Sequence, residues 1–234
     1  YKLYSSKVDE IDQQVFNTQD EFIKKNPKSF TATLIKSSKE PPLPVYGPKD
    51  DMEDKIKGYN HFKDHYLDNL NFQDERLFRS PVYFQKIDNF IQNITYQQPD
   101  SIIKSLDFVL EKTQVIPDAF KFYLSHYFNF YLKSKFVGMD AVYVHLIDKY
   151  YSKGMAPWVD KENLQKMKDA ANDARPTLVG KLAPNLTFIT QKDSSDIKLY
   201  DVVSPYTVMF FWAPDCSHCE KAIPQVLEFY EKYK

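Results

Sequence analysis

The two cysteines of this 234-residue chain, Cys216 and Cys219, stand three positions apart. A thiolate is a nucleophile and a metal ligand, and two cysteines at this spacing suit thiol–disulfide exchange. The first attacks a substrate disulfide, and the second resolves the mixed disulfide. The flanking residues fit that chemistry. Thr207 to Trp212 is a continuous apolar run of strand length, and Ser217 to Tyr233 reads as a helix. A buried central strand delivers Cys216 to the first turn of that helix, where free N–H groups and the helix dipole stabilise a thiolate. Cys219 then lies one helical turn on. His218 sits between the pair, and a cationic imidazole there favours the thiolate, stabilises the reduced form and raises the reduction potential. Trp212 either packs beside the pair or is an ordinary core aromatic. Pro224 falls inside the helix and is expected to kink it.

Other chemistries fit these residues less well. Zinc wants four ligands, and no second cysteine pair exists to complete a site around His218. Haem attachment needs His directly after the second cysteine, where Glu220 stands. A peroxide-reducing cysteine usually follows Thr or Ser three positions earlier, and that position is Ala213. His61-Phe62-Lys63-Asp64-His65 is similar to an inverted zinc-protease pattern with Asp64 in place of Glu. Its plainer reading is a solvated helix face. His126 and His145 lie among aromatics and read as core residues. The run Phe120, Phe122, Tyr123, Tyr127, Phe128, Phe130 and Tyr131 reads as core packing, with a peptide-binding groove as the sharper alternative.

Composition bounds these readings. Hydrophobic residues make up 43% and aromatics 16%, which marks a folded chain. Five glycines favour helices over an all-β sandwich. A net charge of −1 argues against a nucleic-acid partner. No stretch reaches the ~20 apolar residues of a membrane span. Two cysteines exclude a disulfide-stapled scaffold.

The elements that must position the pair come last in the chain. Val8, Ile11, Val15, Phe16, Phe22 and Ile23 recur at helical spacing until Asn26-Pro27. Pro41, Pro42, Pro44, Gly47 and Pro48 predict an extended connector, and Asp50 to Asp54 an acidic helix start. Helices follow from about Asp51 to Leu70, from a Ser80 cap with Pro81 to about Tyr96, from Pro99 or Asp100, and from Pro117. Gly138 breaks the last of these before Asp140 to Tyr151. Asp160 caps a charged helix ending near Arg175-Pro176. Beyond it, Leu186–Thr190 and Ile197–Tyr200 predict two short strands around the turn Gln191-Lys192-Asp193-Ser194-Ser195.

Trp212-Ala213-Pro214-Asp215-Cys216-Ser217-His218-Cys219, with Pro224 five residues on, resembles the thioredoxin superfamily. The TlpA/ResA-like branch is nearest, and Gly180-Lys181-Leu182-Ala183-Pro184-Asn185 is similar to its lead-in. Gly138 to Val142, Ala156 to Asp160 and Arg175-Pro176 resemble a helical domain of unknown function that precedes thioredoxin modules in exported proteins. The chain departs from the family in two places. Ala222 stands where related enzymes often carry an acid, and Phe210 where thioredoxins often carry a buried Asp.

We therefore expect a mainly α chain: an all-helical domain over 1–178, then the hairpin, central strand and first helix of an α/β thioredoxin-like module over 179–234. The natural protein is expected to continue beyond Lys234, and Tyr1 to begin a fragment or processed form. The resemblance implies a thiol–disulfide oxidoreductase with Cys216 and Cys219 catalytic, and with Trp212, Pro214 and His218 as neighbouring or tuning residues. It needs no cofactor and no metal, because the dithiol carries the electrons. It implies protein thiol or disulfide substrates, an upstream membrane reductant, an anchor through the N-terminus, and a place in the periplasm or outer envelope of a Gram-negative bacterium. His218 points toward an oxidant or isomerase, the resemblance toward a reductant, and both readings stay open. The rival is a helical binding or scaffold protein whose redox module is vestigial.

Overall fold

Proline and small polar residues set where the helices begin. A helix leaves its first N–H groups unpaired, so a residue with no N–H, or a side chain that accepts, fits there. The computed structural model describes residues 2–42, 51–190 and 193–233. In it Pro81, Pro99 and Pro117 open α5 (Pro81–Asn89), α6 (Pro99–Thr113) and α7 (Pro117–Leu132). Asp51 caps α3 (Met52–His65), Asp74 caps α4 (Glu75–Phe78) and Asp160 caps α9 (Lys161–Ala174), each accepting a backbone N–H. Ser29 does the same for α2 (Phe30–Ser38), after the long α1 (Lys2–Lys25). Pro44, Gly47, Pro48 and Asp50, and the turn residues Gln191 and Lys192, lie outside the described residues.

Three local expectations need correction. Ser80 precedes α5 but makes no capping bond to it. Its hydroxyl donates instead to the carbonyl of Leu77 at 2.6 Å, closing α4. The helix expected from about Asp51 to Leu70, α3, stops at His65. His126 and His145 are half-buried beside carboxylates rather than enclosed in the core.

Two helices end in π-helical turns. After α5, Phe90–Ile94 closes with Thr95 N–H donating to Phe90 O at 2.8 Å. After α8 (Asp140–Leu146), Ile147–Tyr151 closes with Ser152 N–H donating to Ile147 O at 2.8 Å. Gly138 makes the break before α8, at a φ of 85° that a side chain would strain.

The chain divides into two units, Tyr1–Leu182 and Ala183–Lys234. The first holds the core. Ile102, Leu106, Val109 and Leu110 form the buried stripe of α6 at i, i+4, i+7 and i+8. On α7, Phe120, Tyr123, Tyr127, Phe128 and Tyr131 are buried, while Phe122 and Phe130 are nearly half-exposed. Helices α6, α7 and α8 pack on one another, and α2 lies against α1, α4 and α5. Lys86 fixes α2 to α5. It is 5% exposed, its Nζ donates to the Lys39 carbonyl at the end of α2 at 2.8 Å, and it lies 4.1 Å from the centre of the Tyr66 ring.

The second unit carries two strands and a helix. β1 (Thr187–Ile189) pairs antiparallel with β2 (Asp196–Lys198), with Phe188 opposite Ile197. A short 3-10 turn, Leu199–Asp201, follows, and α10 spans Ser217–Tyr233. The chain is thus mainly α with one two-stranded sheet among its described residues.

Thr207–Trp212 corrects the largest expectation. It is neither a strand nor buried: Val208 is 69% exposed and Phe211 69%. A central strand is stable only when neighbours satisfy the hydrogen bonds on both its edges, and the described ladder ends with β2. No described residue from 183 to 233 is buried. The described residues of this unit therefore form no buried hydrophobic core, and its apolar side chains are exposed or at most half-buried.

Candidate redox site

The site begins at a local turn. Cys216 N–H donates to Ala213 O at 3.1 Å, which reverses the chain over Pro214-Asp215 and aims it into α10. The Cys216 carbonyl accepts the first bonds of the helix, from Cys219 N–H at 2.9 Å and Glu220 N–H at 3.1 Å. Cys216 therefore occupies the N-cap position, and Cys219 lies in the first turn. Their side chains form a disulfide, with Cα atoms 5.2 Å apart. Cys219 N–H also donates to Cys216 Sγ at 3.2 Å. This contact is the sulfur version of an N-cap bond.

Both cysteines are partly exposed, and they are the only cysteines in the chain. A reactive thiol needs access, and a sulfur at a helix N-terminus meets unpaired N–H groups that favour its anion. The structure thus brings together the two cysteines and the helix start. It leaves the neighbouring candidates outside any packed shell: Trp212 is 56% exposed, and Pro214 and His218 are exposed. Helix α10 runs unbroken through Pro224.

The hairpin ahead of the pair is held by side chains. Tyr200 N–H donates to Asn185 Oδ1 at 3.0 Å, and Leu199 N–H to Leu186 O at 2.8 Å. At its turn, Asp193 accepts from the Thr190 hydroxyl and from the hydroxyl and N–H of Ser195. Those bonds hold its carboxyl at about 2. Ala183, Leu199, Tyr200, Val202, Thr207 and Met209 line an open cavity of ≈ 350 Å³ in this unit. Thr207 and Met209 of the apolar run thus share one open space with the 3-10 turn that follows β2.

The helical unit carries one polar cluster that spacing alone does not suggest. Asp107 on α6 accepts from His145 Nε2 at 2.9 Å, Tyr150 OH at 2.8 Å and Lys149 Nζ at 2.9 Å. Burial raises the Asp107 carboxyl, yet the bonds from His145, Lys149 and Tyr150 outweigh it and hold the group below the usual carboxylate range. The partners lie 38 to 43 residues from Asp107, so only the packing of α6 on α8 brings them together. His61 and His65 do share a helix face, with ring centroids 4.3 Å apart, and His65 Nδ1 pairs with Asp68 at 2.6 Å. Among the described residues no group of three or more His, Cys, Asp or Glu side chains could hold a metal ion. No helix among them is long and apolar enough to cross a membrane.

Two comparisons relate the chain to known proteins. The model of a family described as a domain of unknown function, DUF5106, matches residues 15–176. The chain belongs to that family. It is also similar, at 36% identity over 62 residues, to the thiol–disulfide oxidoreductase ResA of Bacillus thuringiensis, of Bacillus cereus and of Bacillus anthracis. The match covers 26% of this chain and 35% of each relative, so the chain spans about a third of the length of those curated proteins. It is a weak, partial likeness to the thioredoxin-like superfamily. No solved structure gives a significant match.

Proposed function

We propose that this chain is part of a thiol–disulfide oxidoreductase that exchanges electrons with protein disulfides outside the cytoplasm. The observation that carries the reading is the Cys216–Cys219 disulfide at the start of α10, with Cys219 N–H on Cys216 Sγ. The partial likeness to ResA supports it. In the reduced protein the Cys216 thiolate attacks one sulfur of a substrate disulfide. A Cys216–substrate disulfide forms, and the other substrate sulfur leaves as a thiolate. Cys219 gives its proton to water and attacks Cys216 Sγ, releasing the second substrate thiolate. The substrate gains two electrons and two protons, and the pair returns to the disulfide. A dithiol donor, proposed to be membrane-bound, must then reduce it again. His218 tunes the potential by stabilising the Cys216 thiolate, and Trp212 and Pro214 shape the approach. The exposed, unpaired run Thr207–Trp212 fits a module completed by further strands, so we place the chain within a longer protein of the cell envelope. Oxidising surroundings there suit a disulfide.

The test is equilibration with glutathione. A pair that cycles, with loss of cycling in Cys216→Ser and a trapped mixed disulfide in Cys219→Ser, supports the reading. A second reading gives the helical unit the main role, as a binding module. The burial of every core residue in that unit favours it. Removing residues 183–234 would then leave partner binding unchanged.

A further inference from the structure

Helix α1 carries an apolar stripe that the helical unit does not use. Val8, Ile11, Val15, Thr18 and Phe22 fall at alternating steps of three and four residues, the a and d positions of a heptad. Val8 is 55% exposed, Ile11 58% and Val15 48%. The helix touches the rest of its unit through another face. The Phe16 ring lies 5.4 Å from Lys39 Nζ, and Asp20 pairs with the same ammonium. At about 100° per residue, Phe16 sits roughly a third of a turn and Asp20 nearly half a turn from the middle of the stripe. Thr18 is the one polar residue between Val8 and Phe22 on the seam, its hydroxyl already donates to Gln14 O at 2.8 Å, and Lys25 follows at the next d position.

We propose that α1 forms a parallel, two-stranded coiled coil with α1 of a second copy of this chain. The flanking charges select both the occupant and the direction. Lys7 is at g and Asp12 at the following e, so in a parallel pair Lys7 of each copy meets Asp12 of the other. This charge pattern is complementary to itself. An antiparallel pair would instead place Lys7 against Glu21 and bring the two Asp12 side chains together. Glu21 is already engaged on its own helix, by Lys25 at 3.2 Å. The seam from Val8 to Phe22 covers about two heptads of the 24-residue α1, short for a coiled coil, so association should be micromolar rather than tight. The inference does not rest on the redox reading.

Sedimentation equilibrium on the whole chain tests it. A dimer is expected at about 100 μM, a concentration that reveals micromolar association. Ile11→Lys should give a monomer with unchanged far-UV helicity elsewhere. Lys7→Glu sits at the exposed rim and does not threaten folding. It should raise the dimer dissociation constant about three- to tenfold, and adding Asp12→Lys should restore it. A monomeric or trimeric parent chain overturns the proposal. So does a dimer that Ile11→Lys leaves intact, or a Lys7→Glu defect rescued by Glu21→Lys rather than Asp12→Lys.

Discussion

The backbone N–H of Cys219 donates to the sulfur of Cys216 across 3.2 Å, in the first turn of α10. On the redox reading one residue supplies both a donor that favours the Cys216 anion and, through its own sulfur, the group that resolves a mixed disulfide. Both roles follow from a spacing of three at a helix start. The redox reading also gives the neighbouring His218 a tuning role. His218→Ala should therefore make the pair's potential more negative. A shift on the order of 30 mV corresponds to tenfold in the exchange equilibrium. Glutathione titration reads the value, and a shift toward positive potential would contradict this role for His218.

Asp107 joins α6 to α8 through His145, Lys149 and Tyr150. Asp107→Asn removes a half-buried charge with three donors aimed at it, and should cost about 2–3 kcal/mol. The folded carboxyl is depressed, so its contribution is complete above the unfolded value near 4 and fades as pH falls through the lower folded value. Thermal melts between about pH 2 and 5 should show a shallower pH slope in the variant than in the parent. Equal slopes would show that Asp107 does not titrate differently on folding.

Tyr83 is fully buried, and its hydroxyl has no hydrogen-bond partner among the described residues. Burial pushes its phenol well above the usual range. Tyr83→Phe removes a polar atom that folding strips of water, and should stabilise the helical unit by about 1 kcal/mol. Chemical denaturation measures it. A loss of similar size would reveal a water bound to that hydroxyl.

The two units should answer core truncation differently. Leu106 is 0% exposed and Leu227 57%. Leu106→Ala should cost about 2–5 kcal/mol, through lost burial and a cavity. Leu227→Ala should stay within about 0.5 kcal/mol, as for other surface changes. A large loss at Leu227 would mean that α10 is packed in solution.

Much of the helical unit is legible because its signals are local. Pro81, Pro99, Pro117 and Asp160 each mark a helix start, and Gly138 marks a break. Helix α2 escapes because it is short and lies between prolines, although Ser29 offers a cap with a 3.1 Å bond to Ala32 N–H. The cysteine turn is legible for the same local reason. What sequence cannot give is whether an apolar segment finds partners. Thr207–Trp212 has the composition of a buried strand, but strand formation depends on ladders supplied from elsewhere. The Asp107 cluster is hidden because its partners meet only through packing.

The most direct measurement of the central claim is a trap. The chain carrying Cys219→Ser is reduced, mixed with a disulfide-containing protein, quenched with acid and resolved without reductant. The redox reading predicts a covalent adduct through Cys216 that dissolves on adding dithiothreitol and is absent from Cys216→Ser. If no adduct forms while Cys216 remains open to alkylation, the pair is not an exchanging site.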